Sequence, residues 1–318
     1  MRFVAKRLLL FIAALVGLSI LVFLALRVLP GDVAAVMAGT NATAARIAAL
    51  RMEMGLDRPF FVRYGEWVLG ALRGDFGASY SYSMSVSQML AGKLPITALL
   101  TALAFLLIVV ISIPLGIFTA GHAGGRFDKA LTVANQVLMA VPPFFTGVLL
   151  FPKLLTLIFG LTLRWFTPGA FVAPEVSFWR SVGYLMFPAV SIALPRIAMT
   201  VKMLKGSILT ELERDYVRTS YSRGNSRRTT LYRHVLRNAV PATVTFLAMT
   251  VADIVAGSVV IEQVFAIPGL GRLLLTSIAN RDFPVVQAIV VILALLVVLV
   301  NCIADIVNQQ LDPRLRLR

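Results

Sequence analysis

Six apolar stretches separated by polar segments set the first limit on how this chain can fold. The earliest, Leu8–Leu26, is 19 residues long and follows Arg2, Lys6 and Arg7. At about 1.5 Å of helical rise per residue, such a run covers the roughly 30 Å of a bilayer's hydrocarbon core. A secretory signal has a shorter apolar core and a small-residue cleavage site, whereas this run leads into Arg27-Val28-Leu29-Pro30-Gly31-Asp32. It is predicted to be a retained transmembrane helix with its basic flank in the cytoplasm. A content of 58% hydrophobic and 14% charged residues, with mean hydropathy +0.86, excludes an ordinary soluble domain.

The net charge of +15 raises nucleic acid as a partner. The distribution excludes it, because the basic residues fall in clusters between apolar runs instead of on one soluble face. The single cysteine, Cys302, lies inside an apolar run, so no intrachain disulfide is available. His122 and His234 are too few and too far apart in sequence to suggest a metal site. Neither G-x-x-x-x-G-K-[ST] nor H-E-x-x-H occurs, so the chain is predicted to bind no cofactor and to be no enzyme.

The remaining apolar runs predict five more spans: Leu94–Ala120, Ala130–Phe151, Phe187–Leu204, Ala242–Ile261 and Val285–Ile303. The second is expected to bend near Pro114-Leu115-Gly116. The third is interrupted at Val141-Pro142-Pro143 and runs on to about Leu161; paired prolines at that depth mark either a plain kink or a helix packed along a pathway. An external loop holding Trp165, Pro168, Gly169 and Trp179 follows. The fourth span contains Pro188 and Pro195-Arg196. Residues 30–93, with six Lys/Arg against five Asp/Glu, are predicted to form a small external (periplasmic) subdomain, and Glu262–Phe283 a second external loop. The first helix takes residues 1–29, a five-helix membrane domain 94–310, and a basic tail 311–318.

Charge tests this topology. Residues 1–7, 121–130, 202–240 and 312–318, predicted to face the cytoplasm, hold 17 Lys/Arg in 63 residues, and the external segments 30–93 and 264–284 hold 8 in 85. That roughly threefold bias per residue follows the positive-inside rule. The expected fold is all-α, polytopic, with six spans and both ends in the cytoplasm of a bacterial cell.

Between the fourth and fifth spans lies a polar island, Asp215–Pro241, flanked by Arg214 and holding Arg218, Arg223, Arg227, Arg228, Arg233 and Arg237. Ile208, Leu212 and Tyr216 recur at helical spacing, which predicts that the fourth span continues outward as an amphipathic helix. Gly224-Asn225-Ser226 should break it, since Gly and Asn tolerate left-handed backbone and Asn or Ser can cap a new helix. Leu231 and Val235 then share one face of a second helix, and Arg233 and Arg237 another. The pattern describes two helices folded at a glycine elbow, a knob for a soluble partner. Equally, the arginines could only enforce topology and bind anionic lipid headgroups.

The island resembles the "EAA" loop of ABC-importer permeases, in the form found in peptide importers. The matching residues are Asp215-Tyr-Val-Arg-Thr-Ser-Tyr-Ser-Arg-Gly224 and Arg233-His-Val-Leu-Arg-Asn-Ala239, with the Gly224 to His234 spacing preserved. Ser220 and Ser222 stand where the family has alanine, which is expected to weaken local packing slightly, and Pro241 comes one position early while Thr245 keeps register. Leu29-Pro-Gly-Asp32, Leu56-Asp-Arg-Pro59, Leu72-Arg-Gly-Asp-Phe-Gly77, Glu262-Gln-Val-Phe265, Pro268-Gly-Leu-Gly-Arg272, Asn280-Arg-Asp-Phe-Pro-Val-Val-Gln287 and Leu311-Asp-Pro-Arg314 are similar to the first ("B") permease subunit of dipeptide and oligopeptide importers.

The resemblance implies a transport subunit forming half of a pore with a second, homologous permease. It also implies one or two cytoplasmic ATPase subunits that use ATP and Mg, and a periplasmic substrate-binding protein. The coupling loop, 207–241, would dock on the ATPase through Asp215, Tyr216, Arg218, Thr219, Arg223, Gly224, Arg233, His234, Arg237 and Asn238. Peptides are the implied cargo; permeases of this type also carry nickel complexes, glutathione, opines and other solutes.

Asp253 lies near the middle of the fifth span, where a charge costs roughly 2.5–3.5 kcal/mol even on the lenient scale. Either it faces a substrate path and attracts a cationic group such as a peptide amine, or it pairs with a partner or is protonated. Arg196 is the other charge at that depth, a partner for Asp253 or a contact for a substrate carboxylate. With Pro142 and Pro143 these residues make up the candidate path. An ion-coupled secondary transporter would show inverted repeats, of which the sequence gives no clear sign, and would leave the elbow without a purpose. A purely structural subunit would not need proline-broken spans.

Overall fold

The computed structural model describes residues 2–28, 33–38, 42–149 and 169–311. These are helical apart from short connections and one isolated bridge, Ala78 with Ser85. The helices are α1 (Arg2–Val28), α2 (Val33–Ala38), α3 (Ala44–Glu53), α4 (Phe60–Leu72), α5 (Val86–Ala91), α6 (Leu94–Gly121), α7 (Arg126–Ala140), α8 (Pro143–Leu149), α9 (Phe178–Leu212), α10 (Asp215–Ser222), α11 (Arg227–Val264), α12 (Leu270–Ala279) and α13 (Phe283–Leu311). Among the described residues, four stretches are long and apolar enough to cross a membrane: Val86–Gly121, Phe178–Leu212, Arg227–Val264 and Phe283–Asn308. The chain divides into two compact units, residues 1–95 with 268–298, and residues 96–267 with 299–318.

In the first unit α1 meets α4 through aromatic side chains. Phe23 lies edge-on to Phe60 at 5.1 Å and to Tyr64 at 5.6 Å, and the Ser19 hydroxyl is 2.8 Å from the Tyr64 hydroxyl. A second cluster joins Val86 and Leu90 of α5 to Leu270 and Leu273 of α12 and to Val285, Ala288 and Ile289 of α13. Asp282, fully buried, closes this unit. Its carboxylate accepts from the Ser79 hydroxyl at 2.5 Å, the Tyr80 N–H at 3.0 Å and the Ser81 N–H at 3.3 Å. These donors meet the acceptor needs that burial imposes on the carboxylate. The Tyr80 hydroxyl sits in the same neighbourhood, and burial, with the nearby Asp282 charge, raises its pKa above 10.0 against the opposing pull of Arg63.

The second unit is built around α9, which packs against α7, α8 and α11. Leu185, Ala189, Ile192, Ala193, Val201, Leu204 and Ile208 are all essentially buried, which wraps an apolar surface around most of the helix. A helix that is apolar on nearly every side belongs in the middle of a bundle. Gly116 of α6 lets α9 approach closely, since a Cβ there would lie 2.9 Å from a Leu204 methyl. Small residues at such crossings replace the hydrophobic drive that lipid does not supply.

Several element ends differ from the sequence expectation. The third span is not one kinked helix: α7 stops at Ala140, Val141 is extended (φ −89°, ψ 121°), and α8 restarts on Pro143. Proline suits a first helical position because its missing N–H has no partner there anyway. The Pro142 carbonyl takes the N–H groups of Phe145 and Thr146 at 3.0 and 3.1 Å. The continuation to Leu161, together with Trp165 and Pro168, lies outside the described residues, as does 312–318 of the basic tail. The fourth span begins at Phe178 rather than Phe187, which puts Trp179 on the helix and not in a loop. The segment Glu262–Phe283, expected to be an external loop, contains a helix, α12, and Glu262 itself belongs to α11.

Candidate functional site

The elbow is two helices joined by a four-residue turn. It does not continue the fourth span directly, because α9 ends at Leu212 and Glu213-Arg214 separates it from α10. Asp215 sits in the first turn of α10, where a negative charge complements the helix dipole. The helix ends in a Schellman turn: Gly224 N–H donates to the Tyr221 carbonyl at 2.9 Å and Asn225 N–H to the Ser220 carbonyl at 3.2 Å. Gly224 has φ +80°, a backbone region that costs other L residues roughly 1–2 kcal/mol. Ser226 then caps the next helix, its hydroxyl accepting from Thr229 N–H at 3.2 Å.

That next helix is also the fifth span. Arg227–Val264 is continuous, widened into a π turn over Thr230–Val235 and containing Pro241. The Leu236 N–H reaches back to the Leu231 carbonyl. The expected start at Ala242 is therefore replaced by a helix that carries the elbow straight into the bundle. A π turn adds one residue to a helical circuit and re-aims the faces on either side of it. Thr230, Leu231, Val235 and Ala239 are all buried as a result of the packing this produces. Leu231, Val235 and Ala239 join Val217 of α10, Leu204 and Ile208 of α9, and Ile117 and Ala120 of α6 in one cluster. Full burial of a large aliphatic side chain contributes roughly 1.5–3 kcal/mol, so the knob is a packed body.

Polar contacts fix it further. Ser220 and Thr230 are buried with their hydroxyl oxygens 3.0 Å apart, and the Asn225 amide donates to Ser220 Oγ at 3.1 Å. The expectation that serine weakens packing here is corrected: Ser220 bonds the two arms of the elbow to each other. The Tyr216 hydroxyl donates to Glu211 Oε2 at 2.7 Å and also meets the Asn238 amide. Burial and the Glu211 charge together raise the Tyr216 pKa above 10.0, opposed by Asn238. Arg227 Nη2 donates to the Gly121 carbonyl at 2.9 Å, and Lys205 forms an ion pair with Asp128 in the first turn of α7. The Lys205 hydrogen bond, with a second from Gly124 N–H at 2.9 Å, holds the Asp128 carboxyl below 3.8.

Of the residues predicted for docking, Asp215, Arg218, Thr219, Arg223, Gly224, Arg233, Arg237 and Asn238 are exposed, while Tyr216 and His234 are partly buried. Tyr216 and Asn238 meet each other; the exposed arginines form a basic surface around the turn. Ser220, Asn225, Thr230, Arg227, Lys205 and Asp128 were not singled out as site residues. The signal for Ser220 was its departure from alanine, and for Asp128 and Lys205 a charged residue at each edge of an apolar run.

Deeper in the bundle, Arg196 Nη1 and Asp253 Oδ2 lie 2.9 Å apart, joining α9 to α11. The Arg196 side chain is 22% exposed and that of Asp253 50%. Arg196 also lies 3.5 Å from the Met199 sulfur. Thr245, Met249, Asp253, Ala256 and Val260 are exposed at successive helical spacings, one stripe along α11. Pro142 and Pro143 end α7 and begin α8, which packs on both α9 and α11. Glu262, fully buried near the far end of α11, accepts from the Thr97 hydroxyl at 2.6 Å.

Comparison with known proteins gives this arrangement its family. The profile of the binding-protein-dependent transport system inner membrane component matches residues 112–317, and that of the family's N-terminal membrane component matches 1–101. The chain belongs to this family of permeases. It is 34% identical over 314 residues to a probable peptide ABC transporter permease protein of Sinorhizobium fredii, covering 99% of both chains. A putative peptide transport system permease protein of Brucella abortus is 35% identical over 313 residues, with 98% of each covered. An oligopeptide transport system permease protein of Bacillus subtilis is 32% identical over 316 residues, again covering 98% of each. The permease is thus an inner-membrane subunit that works with a substrate-binding protein and an ATPase.

Proposed function

We propose that this permease forms half of the translocation path of an ATP-driven peptide importer and receives the ATPase stroke through the elbow at Gly224. The observation that carries this reading is the single helix Arg227–Val264, which begins in the exposed knob and holds Asp253 in the bundle. A push on the knob moves the ion pair's helix as one body, because helix and knob share the buried cluster around Leu231 and Val235. Peptide as cargo rests on the names of the three relatives.

In this reading the chain crosses the membrane six times with both ends in the cytoplasm, residues 30–93 lie in the periplasm, and residues 94–310 form the membrane domain that carries the coupling loop 207–241. A second, homologous permease completes the pore. One or two ATPase subunits bind ATP and Mg, which this chain does not. Arg196 and Asp253, with the break at Pro142-Pro143, mark the substrate path. A charge that is half exposed at bilayer depth favours a watery path or a partner subunit over lipid tails. The test is uptake of a labelled tripeptide into proteoliposomes holding the permease pair, the ATPase and the binding protein. ATP-dependent accumulation supports the reading; accumulation without the ATPase overturns it.

A further inference from the structure

Helix α4 presents an apolar stripe that the described residues leave uncovered. Phe61 and Leu72 are 82% and 80% exposed, Leu69 57% and Val62 47%. Phe61, Leu69 and Leu72 fall at i, i+8 and i+11, with Gly65 between them, so they share one side of the helix. Phe60 and Tyr64 occupy an adjacent side and pack on Phe23 of α1. Single exposed apolar residues are ordinary, whereas a contiguous stripe of large ones marks a surface with a partner.

The height at which α4 meets α1 points to the bilayer surface as that partner. The apolar run of α1 ends at Leu26, so Phe23 lies about 5 Å and Ser19 about 10 Å inside its outer end, at about 1.5 Å per residue. Both meet α4, Phe23 through its ring and Ser19 through the hydroxyl pair with Tyr64 at 2.8 Å. A helix lying on a membrane sinks its apolar side by a similar depth, roughly 5–10 Å. The Arg63 guanidinium rests 5.8 Å from the centre of the Phe23 ring. A cation at this height belongs to the headgroup boundary, not to the hydrocarbon interior. With 13 residues, and with Arg63 and Glu66 in its middle, α4 is too short and too charged to span the bilayer itself. Tyr64 and Trp67 are of the residue types enriched where membrane meets water. Leu21 and Leu24, which flank Phe23 on α1, are exposed as well, so lipid around α1 meets α4 where the two helices touch.

We propose that α4 is an interfacial helix, lying in the outer headgroup region with Phe61, Leu69 and Leu72 in lipid and Glu66 toward water, and that it anchors the external subdomain to the bilayer surface. The inference rests on the six-span reading above, in which α1 crosses the membrane, and adds a membrane contact to it. The test uses the full chain with Cys302→Ala and one of Val16→Cys, Phe61→Cys, Glu66→Cys or Leu72→Cys, each checked for monodispersity and labelled with a nitroxide. The labelled chains are placed in vesicles of phosphatidylethanolamine and phosphatidylglycerol, alone and with the partner subunits. Electron paramagnetic resonance then reads how often each label collides with oxygen, which concentrates in lipid, and with a nickel chelate, which stays in water.

Labels at 61 and 72 should favour oxygen over nickel, as should the label at 16 in the middle of α1, and the label at 66 should show the reverse. Labels at 61 and 72 that favour nickel as the one at 66 does would put the stripe in water and overturn the proposal. Labels at 61 and 72 that neither reagent reaches once the partner subunits are present would show a protein seated on the stripe, which overturns it too. The label at 16 separates this inference from the reading beneath it. Nickel preference at 16 counts against α1 as a span and takes the α4 proposal with it, whereas oxygen preference at 16 with nickel preference at 61 and 72 removes the α4 proposal alone.

Discussion

Ser220 and Thr230 face each other across the elbow with their hydroxyls 3.0 Å apart, both buried and on opposite sides of Gly224. They hold together the two helices that make the knob. Removing one hydroxyl leaves the other buried and under-bonded, at a cost of about 1–3 kcal/mol. Ser220→Ala and Thr230→Ala are each expected to lower the melting temperature, and the double variant to lose less than the sum. A coupling of about 0.5–3 kcal/mol in the cycle is the expected result; strict additivity would show that the pair does not act as a unit.

The Arg196–Asp253 pair makes a second prediction. Asp253→Asn strands a cation and Arg196→Gln strands a carboxylate, and an unpaired charge on a membrane helix is costly. Both are expected to reduce the yield of folded protein, and the exchange Arg196→Asp with Asp253→Arg to recover much of it. If the pair also lies on the path, Asp253→Asn changes the ranking of cationic against anionic peptides in uptake assays. Unchanged rates and ranking would take Asp253 off the path.

Asp128 gives the permease an acid-sensitive joint. Its carboxyl titrates below 3.8 in the folded chain because Lys205 and Gly124 bond its charged form. A depressed carboxylate stabilises the fold above its unfolded value and loses that contribution as pH falls through the folded one. Hydrogen exchange around Gly124–Lys129 and Lys205 should therefore accelerate as pH drops below 3.8, after correction for intrinsic rates. Asp128→Asn should abolish that dependence while leaving α11 protected.

Gly116 tests the closeness of α6 and α9. A Cβ there would meet Leu204 Cδ2 at 2.9 Å, Cγ at 3.1 Å and Cβ at 3.2 Å, so rotating the leucine tip cannot clear it. Overpacking of this kind typically costs about 1–3 kcal/mol. Gly116→Ala is expected to lower thermal stability within that range, and Gly116→Ala with Leu204→Ala to recover part of it. Stability equal to the parent in Gly116→Ala would mean that the helices separate freely.

The fold was legible where apolar runs dominate and less so at their edges. Leu94–Ala120 was predicted to within one residue of α6, because nothing polar extends it. Phe178–Leu212 was underestimated at its start, where Trp179 and Arg180 lower hydropathy without ending the helix. The spacing of Ile208, Leu212 and Tyr216 hid the break at Glu213-Arg214, since a short interruption can preserve periodicity. The turn at Gly224-Asn225-Ser226 was readable from local chemistry alone, and Ser226 is the cap. The π turn at Thr230–Val235 was not, because it depends on packing against α9 and α10. Asp253 stood out as a lone charge, whereas its pairing with Arg196 is a product of tertiary structure. The bond from Ser79 to Asp282 likewise joins segments that the sequence reading kept apart.

The central claim is that the elbow transmits the ATPase stroke, and Gly224 tests it most directly. Its Cβ position is open, with no atom of the described residues within 4 Å, so a substitution there strains the backbone and adds bulk to the proposed docking surface without a clash among them. In the assembled transporter, Gly224→Val is expected to break the ratio of peptide transported to ATP hydrolysed. Gly224→Asn tolerates the left-handed backbone and separates bulk from strain. Measured in proteoliposomes with all partners present, loss of coupled uptake in Gly224→Val with partial retention in Gly224→Asn is the predicted result. Normal coupling in Gly224→Val would contradict the account.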